Sequence, residues 1–380
     1  MLVHECSDTQ LTAQTHRGDV QLVEQLAGEW RELCKEGPRD EPFFRPEWIA
    51  AYLRAFEPRT PVLLATAHSG ERLRAVLPLI EKDTFFCGIP ARILRGAGNE
   101  HSGRFDLLRS AGEDGDHAVR LIWDALKGRT DWDLIELPYV PEGGAAEQLL
   151  RLASDDGFLT GQYESYRSPY ISLVGSDRAD LIPRRSDFRH NLRRRLRRAQ
   201  EKWNVHLRRI DRPDPVALNR FYELEASGWK GKEKTAITCS ASPRRFYDEI
   251  ASVGSRFGYF SLYLLNFDDT LVAGHFGLSY QGHYYSAKVA YDETYGFYGP
   301  GHLIIEAILR DILAQGFSEF DFLGPWMDWK ESWAREGRTH SFCYVFRPGL
   351  LGHALYTAKL KLLTTLRRIV RGARKARATS

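Results

Sequence analysis

One ordering of chain signals occurs twice, and it restricts the fold more than any other feature. In PVLLATAHSGERLRAVLPLI two apolar runs flank the turn His68-Ser69-Gly70, which reads as strand, turn, strand. A short strand at RFDLL, a helix over HAVRLIWDALKG and a strand at DWDLIELPYV follow. After residue 200 the order returns. YFSLYLLNFDDTLVAGHFGLSY is strand, Asp268-Asp269 turn and strand; GHYYSAKVAYD is a third strand, GPGHLIIEAILRDILAQG a helix and FSEFDFLG a strand. TLVAGHFGL echoes RLRAVLPLI, and FSEFDFLGP echoes DWDLIELPY, in pattern rather than identity. The expectation is an α/β (α+β) chain of two related halves, each a mixed β-sheet flanked by helices.

A chain of 380 residues is long enough for two cores. Boundaries are expected at 1–40 for an N-terminal helical segment, 41–170 for a first, structural half, 171–350 for a second half carrying the active site, and 351–380 for a basic tail. Val20, Leu22, Val23, Leu26, Trp30 and Leu33 are spaced for one amphipathic helix ended by Gly37-Pro38, and FFRPEWIAAYLRAF for another with Pro46 at its start. With 43% hydrophobic residues the chain can bury its cores.

Five cysteines are scattered without a CxxC pair or a Cys/His cluster, so no metal is expected. No apolar run approaches the length of a membrane span, and MLVHECSDTQ lacks the regions of a signal peptide, so the cytoplasm is expected. The net charge of +3 conceals two basic stretches, RRSDFRHNLRRRLRR from Arg184 to Arg198 and an acid-free tail from Lys359 to Arg377.

YGFYGPGHLIIEAIL places a Tyr/Gly-rich turn directly before a long amphipathic helix. Gly299 and Gly301 let a ligand approach the backbone, and Pro300 suits a first helical turn. A helix start offers free N–H groups and a partial positive charge, so Tyr298, Gly299, Gly301 and His302 form the expected grip on a donor's phosphates. Gly and Pro are also ordinary punctuation between strand and helix.

Strict alternation along GHYYSAKVAYD would put Tyr285 and Tyr291 on one face, and Tyr284 and Lys288 on the other. His275, among apolar neighbours, reads as a satisfied core histidine. In the Arg-rich helix Phe188, Leu192, Leu196 and Ala199 share one stripe, which leaves arginines, Arg193 among them, for solvent or for a phosphorylated acceptor. No nucleic-acid motif is recognisable, so no specific nucleic acid partner is expected. The tail suits either peripheral contact with an anionic membrane or a solvated terminus.

The segments ALNRFYELEASGWKGKEKTAIT, LVAGHFGLSYQGHYYSAKVAYDETYGFYGPGHLIIEAIL and FDFLGPWMDWKESWA resemble the CelD/BcsL group of GNAT acetyltransferases, often labelled as involved in cellulose biosynthesis. That group is similar to the FemABX aminoacyl transferases, which carry two tandem GNAT-like halves. The resemblance is dense from about residue 165 to 335 and looser from 42 to 110. It implies acyl transfer from acyl-CoA to an amine or hydroxyl acceptor, a small molecule or a saccharide- or lipid-linked one. In FemABX-like enzymes an aromatic-Lys motif lies at the reaction centre, which assigns that role to Lys330 within Trp329-Lys330-Glu331-Ser332-Trp333. The chain shows no coiled-coil arm for tRNA, which favours acyl-CoA over aminoacyl-tRNA.

Acyl transfer needs a neutral nucleophile, a proton acceptor, and donors for the oxygen that becomes negative. Lys330 is the expected oxyanion or acceptor contact. Asp321 and Glu225 are alternative bases or partners to Lys330, each read more readily as a capping or salt-bridged acid, and Tyr285 is the candidate acid toward the leaving thiolate. Trp229, Lys288, Tyr291, Trp329, Trp333 and Arg193 complete the expected acceptor surroundings. A non-catalytic module binding membranes or polyanions is the remaining alternative.

Overall fold

The computed structural model describes residues 10–175 and 186–362. Arg184, Arg185 and the tail beyond Leu362 lie outside them. The chain forms two compact units. The first takes the residues up to Leu53, Glu57–Ser165 and those from His340 on; the second takes Arg54–Phe56 and Tyr166–Thr339.

In the first unit the elements run β1 (Leu11–Gly18), α1 (Val20–Gln25), α2 (Ala27–Glu36), α3 (Pro46–Phe56), β2 (Val62–Ser69), β3 (Arg72–Phe86), β4 (Ile89–Gly96), β5 (Leu108–Arg109), α4 (Gly112–Gly128), β6 (Leu134–Pro141) and α5 (Ala145–Asp155). Strands β1 to β4 pair antiparallel in succession, and β4 then pairs parallel with β6 over Ile93↔Leu134, Leu94↔Ile135 and Arg95↔Glu136. A parallel partner needs a crossover, which α4 supplies.

Strand β7 (Leu159–Ser172) leads to the second unit: α6 (Ser186–Gln200), β8 (Val205–Ile210), α7 (Pro215–Ser227), α8 (Trp229–Lys232), α9 (Ala241–Arg256), β9 (Phe260–Phe267), β10 (Thr270–Tyr280), β11 (His283–Tyr291), α10 (Pro300–Ala314), β12 (Glu319–Asp321) and α11 (Asp328–Glu331). Strands β8 to β11 are again antiparallel in succession, and β11 pairs parallel with β12. The repeated order read from the sequence is therefore a repeated topology. The final strand β13 (Glu336–Phe346) begins in the second unit, and from His340 it pairs antiparallel with β6 of the first.

The opening segment differs from its helical reading. Residues 11–18 form β1, and Leu26 interrupts the helix that follows. Exposed Thr12, Gln14 and Arg17 alternate only with Leu11, Ala13 and Thr15, which left β1 without the strongly apolar alternation that marks a strand. Asp19 caps α1 through its carboxylate, which accepts from the Gln21 amide at 2.8 Å. The strand expected at RFDLL shortens to the two residues of β5. No helix among the described residues is long and apolar enough to cross a membrane.

The core of the second unit lies between β9–β12 and α10. Tyr284, Ile304, Ile308, Ile312 and Phe320 are fully buried there.

Candidate functional site

Parallel pairing of β11 with β12 covers only His283↔Glu319, Tyr284↔Phe320 and Tyr285↔Asp321. Strand β12 ends at Asp321 while β11 continues to Tyr291. Beyond Tyr285 that edge of β11 has no strand partner among the described residues, so a fork opens whose exposed backbone groups need other partners.

A β-bulge sits at the fork. Gly277 pairs with Ser286 and Phe276 with Lys288, so Ala287 is an extra residue in β11. One inserted residue reverses the alternation beyond it. This corrects the facial assignment made from strict alternation: Tyr285 and Lys288 share one face, and Tyr284 and Tyr291 the other. Lys288 accordingly lies over the Tyr247 ring of α9, at 5.4 Å from Nζ to centroid. Tyr291 lies against Gly301 of α10, where a Cβ would come within 2.9 Å of its ring.

On the α10 face, Gly299 adopts φ 65°, ψ 49° as the residue before the helix. Its amide donates to Gly296 O, and the amides of His302 and Leu303 donate to Gly299 O. Of the turn's expected donors, only the Gly301 N–H lacks an acceptor among the described residues. The tight turn before α10 uses up the rest. Positive charge is instead supplied by α6, whose half-buried Arg195 packs so closely on Gly299 that a Cβ there would lie 2.3 Å from a guanidinium nitrogen. Arg198 stacks over exposed Phe297, and Lys202 over Tyr298 at 5.7 Å. Arg193, expected at the site, is exposed to solvent; helical rotation puts Arg195 inward instead.

Trp333 is buried, and its Nε1–H donates to His302 Nδ1 at 3.1 Å. Phe188 packs edge-on against both rings, and Trp329 lies 6.5 Å from the imidazole. Burial, then the charge of Arg195, lowers the His302 pKa to about 4. The ring is neutral at pH 7, with its proton on Nε2.

Lys330 is buried on the short helix α11. Its Nζ donates to Leu323 O at 2.7 Å and Pro325 O at 2.8 Å. Burial lowers its pKa to about 8, with Asp321 acting in the opposite sense. The ammonium thus braces the loop after β12 and lies 5.6 Å from the Trp329 ring centroid. Asp321 is fully buried at the fork; its carboxylate accepts from the Leu323 amide at 2.8 Å, from Ser168 Oγ at 3.3 Å and from Arg338 at 3.3 Å.

Tyr285, opposite Asp321, stacks on His283. Burial pushes the Glu319 carboxyl up, but Arg338 and His283 outweigh it and hold the pKa at about 2. Arg338 also covers Tyr170, 3.9 Å from its centroid. Arg338, Glu319 and Tyr170 escaped the sequence reading because nothing local marks them; three separate strands bring them together.

Glu225 reaches β11 through Lys230, whose Nζ also donates to Val289 O at 2.9 Å. One carboxylate oxygen accepts from Lys230 Nζ and the other from the Ile237 amide, each at 2.9 Å, so the side chain ties α7 to the segment after it. Trp229 is exposed, with its amide on Glu293. His275 is the satisfied core histidine expected: Tyr284 Oη and Ser286 Oγ contact its two nitrogens at 2.8 and 2.9 Å, and burial lowers its pKa to about 3.

Residues 186–331 match the family model described as an acetyltransferase (GNAT) domain. That match lies within the second unit. Among solved structures the chain is similar to FemX, at a TM-score of 0.58 and 12% identity over 91% of this chain and 99% of that one. It is also similar to the C-terminal domain (DUF2156) of a putative lysylphosphatidylglycerol synthetase from Agrobacterium fabrum, at 0.52 and 11% over 89% and 97%. A conserved protein of unknown function from Bacteroides thetaiotaomicron aligns at 0.53 and 13% over 84% and 97%. At such identities the likeness is one of fold. No curated protein sequence matches significantly.

Proposed function

We propose that this protein is an N- or O-acyltransferase that takes an acyl group from acyl-CoA and gives it to an amine or hydroxyl acceptor. The observation that carries this reading is the fork between Tyr285 and Asp321, with a cationic helix start on one face of β11 and a tyrosine–carboxylate cluster on the other.

The donor fits the α10 face. The Gly301 amide, Arg195 and the glycine-lined turn would hold its phosphates. The donor would supply an activated thioester carbonyl. Val289 O beyond Tyr285 already accepts from Lys230, and backbone N–H groups of β11 without a strand partner are suited to donate to the oxygen on which negative charge develops. On the opposite face, Tyr285 and Asp321 are placed to orient the acceptor and handle its proton, with Lys288 on the same face. Lys330 acts through the loop it braces, by positioning Asp321 and carrying charge beside it. The resemblance to the CelD/BcsL group favours a saccharide- or lipid-linked acceptor of the cell envelope or an exopolysaccharide.

Calorimetric titration with acetyl-CoA and with desulfo-acetyl-CoA analogues tests the donor. Saturable binding that weakens in Arg195→Ala is expected. Absence of binding by any acyl-CoA would overturn the reading.

A second reading is supported by α6, where Arg193, Arg194, Arg197 and Arg198 are all exposed. Such a face suits the backbone of an aminoacyl-tRNA donor. FemX and the lysylphosphatidylglycerol synthetase domain share the fold. That reading expects charged tRNA, and not CoA, to bind and to co-purify.

A further inference from the structure

The first unit contains a cavity of about 500 Å³, a size that suits a small ligand. Its walls come from four separate parts of the chain: Arg39 after α2, Asp106–Arg109 ending in β5, Asp116 on α4, and Gly143–Ala145 with Arg151 around the start of α5. We propose that this cavity is a second binding site, for a small molecule bearing a phosphate or carboxylate group, separate from the donor turn of the second unit.

Charge is the first argument. Three guanidinium groups and two carboxylates line the cavity. Asp106 is spoken for: it accepts from the amides of Ala146 at 2.8 Å, Leu107 at 2.9 Å and Ala145 at 3.0 Å, and so closes the N-terminus of α5. Burial raises its pKa to about 6, against the pull of those amides and of Arg39. Asp116 pairs with Arg109 at 3.1 Å. Arg39 donates to the Glu142 carbonyl and lies close enough to Asp106 to act on its carboxyl. Arg151 is exposed and makes no ion pair among the described residues. Three guanidinium groups against two carboxylates leave positive charge in excess on a concave wall, which favours an anion.

Rigidity is the second. Gly143 adopts φ 69°, and a Cβ on Gly144 would lie 2.6 Å from the Asp106 carboxylate. Next to Asp116, outside the lining itself, a Cβ on Gly115 would lie 1.9 Å from Ser110 O, which fixes the start of α4. Backbone thus packs directly on backbone and carboxylate around the cavity, which is formed before a ligand arrives. Because Asp106 already occupies the α5 amides, arginine side chains must make the ligand contacts, unlike the helix-start arrangement at Gly301.

Calorimetric titrations of the full chain at constant ionic strength, with inorganic pyrophosphate and with succinate, test this. Saturable binding of at least one probe is expected, retained in Arg195→Ala and weakened roughly tenfold in Arg151→Ala and in Arg39→Gln. Preference for pyrophosphate assigns a phosphorylated ligand, and preference for succinate a carboxylate. Loss of all binding in Arg195→Ala, or unchanged binding in the Arg39→Gln/Arg151→Ala double variant, overturns the proposal, as does no binding of either probe. Acetyl-CoA titration of the same variants separates this outcome from failure of the transferase reading.

Discussion

The indole of Trp333 donates to Nδ1 of His302 at 3.1 Å, and this bond joins the Trp-Lys motif to the start of the donor helix. Two motifs that the sequence presents separately are thus one packed unit, closed on its outer side by Phe188 of the arginine helix.

In Trp333→Phe the Nδ1 lone pair loses its donor, and protonation of the imidazole becomes easier. Its pKa should rise from about 4, though burial and Arg195, which the variant keeps, still hold it below the ordinary histidine value. Histidine resonances followed by NMR through pH 4–7 check this. A His302 titration unchanged in the variant would deny the bond any electrostatic role.

Lys330 ties stability to alkaline pH. The folded protein loses this proton near pH 8, whereas the unfolded chain keeps it to about 10.5. Between those values the unfolded state binds more protons, so wild-type stability should rise relative to Lys330→Met, with a slope of up to about 1.4 kcal/mol per pH unit. Urea unfolding of both proteins at pH 8, 9 and 10 measures the difference. Parallel curves would show that the ammonium is not held as described.

Glu319 acts at the opposite end of the scale. Its folded pKa of about 2 lies below the ordinary glutamate value of 4.5, so its contribution is present above pH 4.5 and is lost as pH falls toward 2. Arg338→Ala should remove much of that acid sensitivity and make the protein less stable at neutral pH. Thermal melts between pH 3 and 7 report it.

Glu225→Ala should destabilise the second unit by about 3 kcal/mol, because it leaves the partly buried Lys230 ammonium with Val289 O but no carboxylate and leaves the Ile237 amide without its acceptor. A role in binding, by contrast, would change affinity and leave the melting temperature alone. Chemical denaturation beside acetyl-CoA titration tells the two apart.

Arg195→Ala should weaken acetyl-CoA binding about tenfold, near 1.4 kcal/mol, with little loss of stability. Arg193→Ala serves as the matched control, since that side chain, two residues before Arg195 on the same helix, is exposed. Equal effects from the two would point to the general charge of α6 rather than to a specific contact.

Much of the architecture is legible in the chain itself because its signals are local. The strand pairs β2–β3 and β9–β10, the helix α3 starting at Pro46 and the left-handed Gly299 before α10 all follow from neighbouring residues and their periodicity. The satisfied state of His275 is readable for the same reason, from its apolar, alternating surroundings. Tertiary structure decided the rest. An unpaired residue at Ala287, visible only against its partner strand, reversed which face of β11 carries Lys288 and which carries Tyr291. The rotation of α6 against α10 chose Arg195 over Arg193, and the convergence of β7, β12 and β13 assembled Tyr170, Asp321 and Arg338. Sequence spacing sets the period of each element, but the register between elements depends on packing among residues far apart in the chain, and that register places the functional groups.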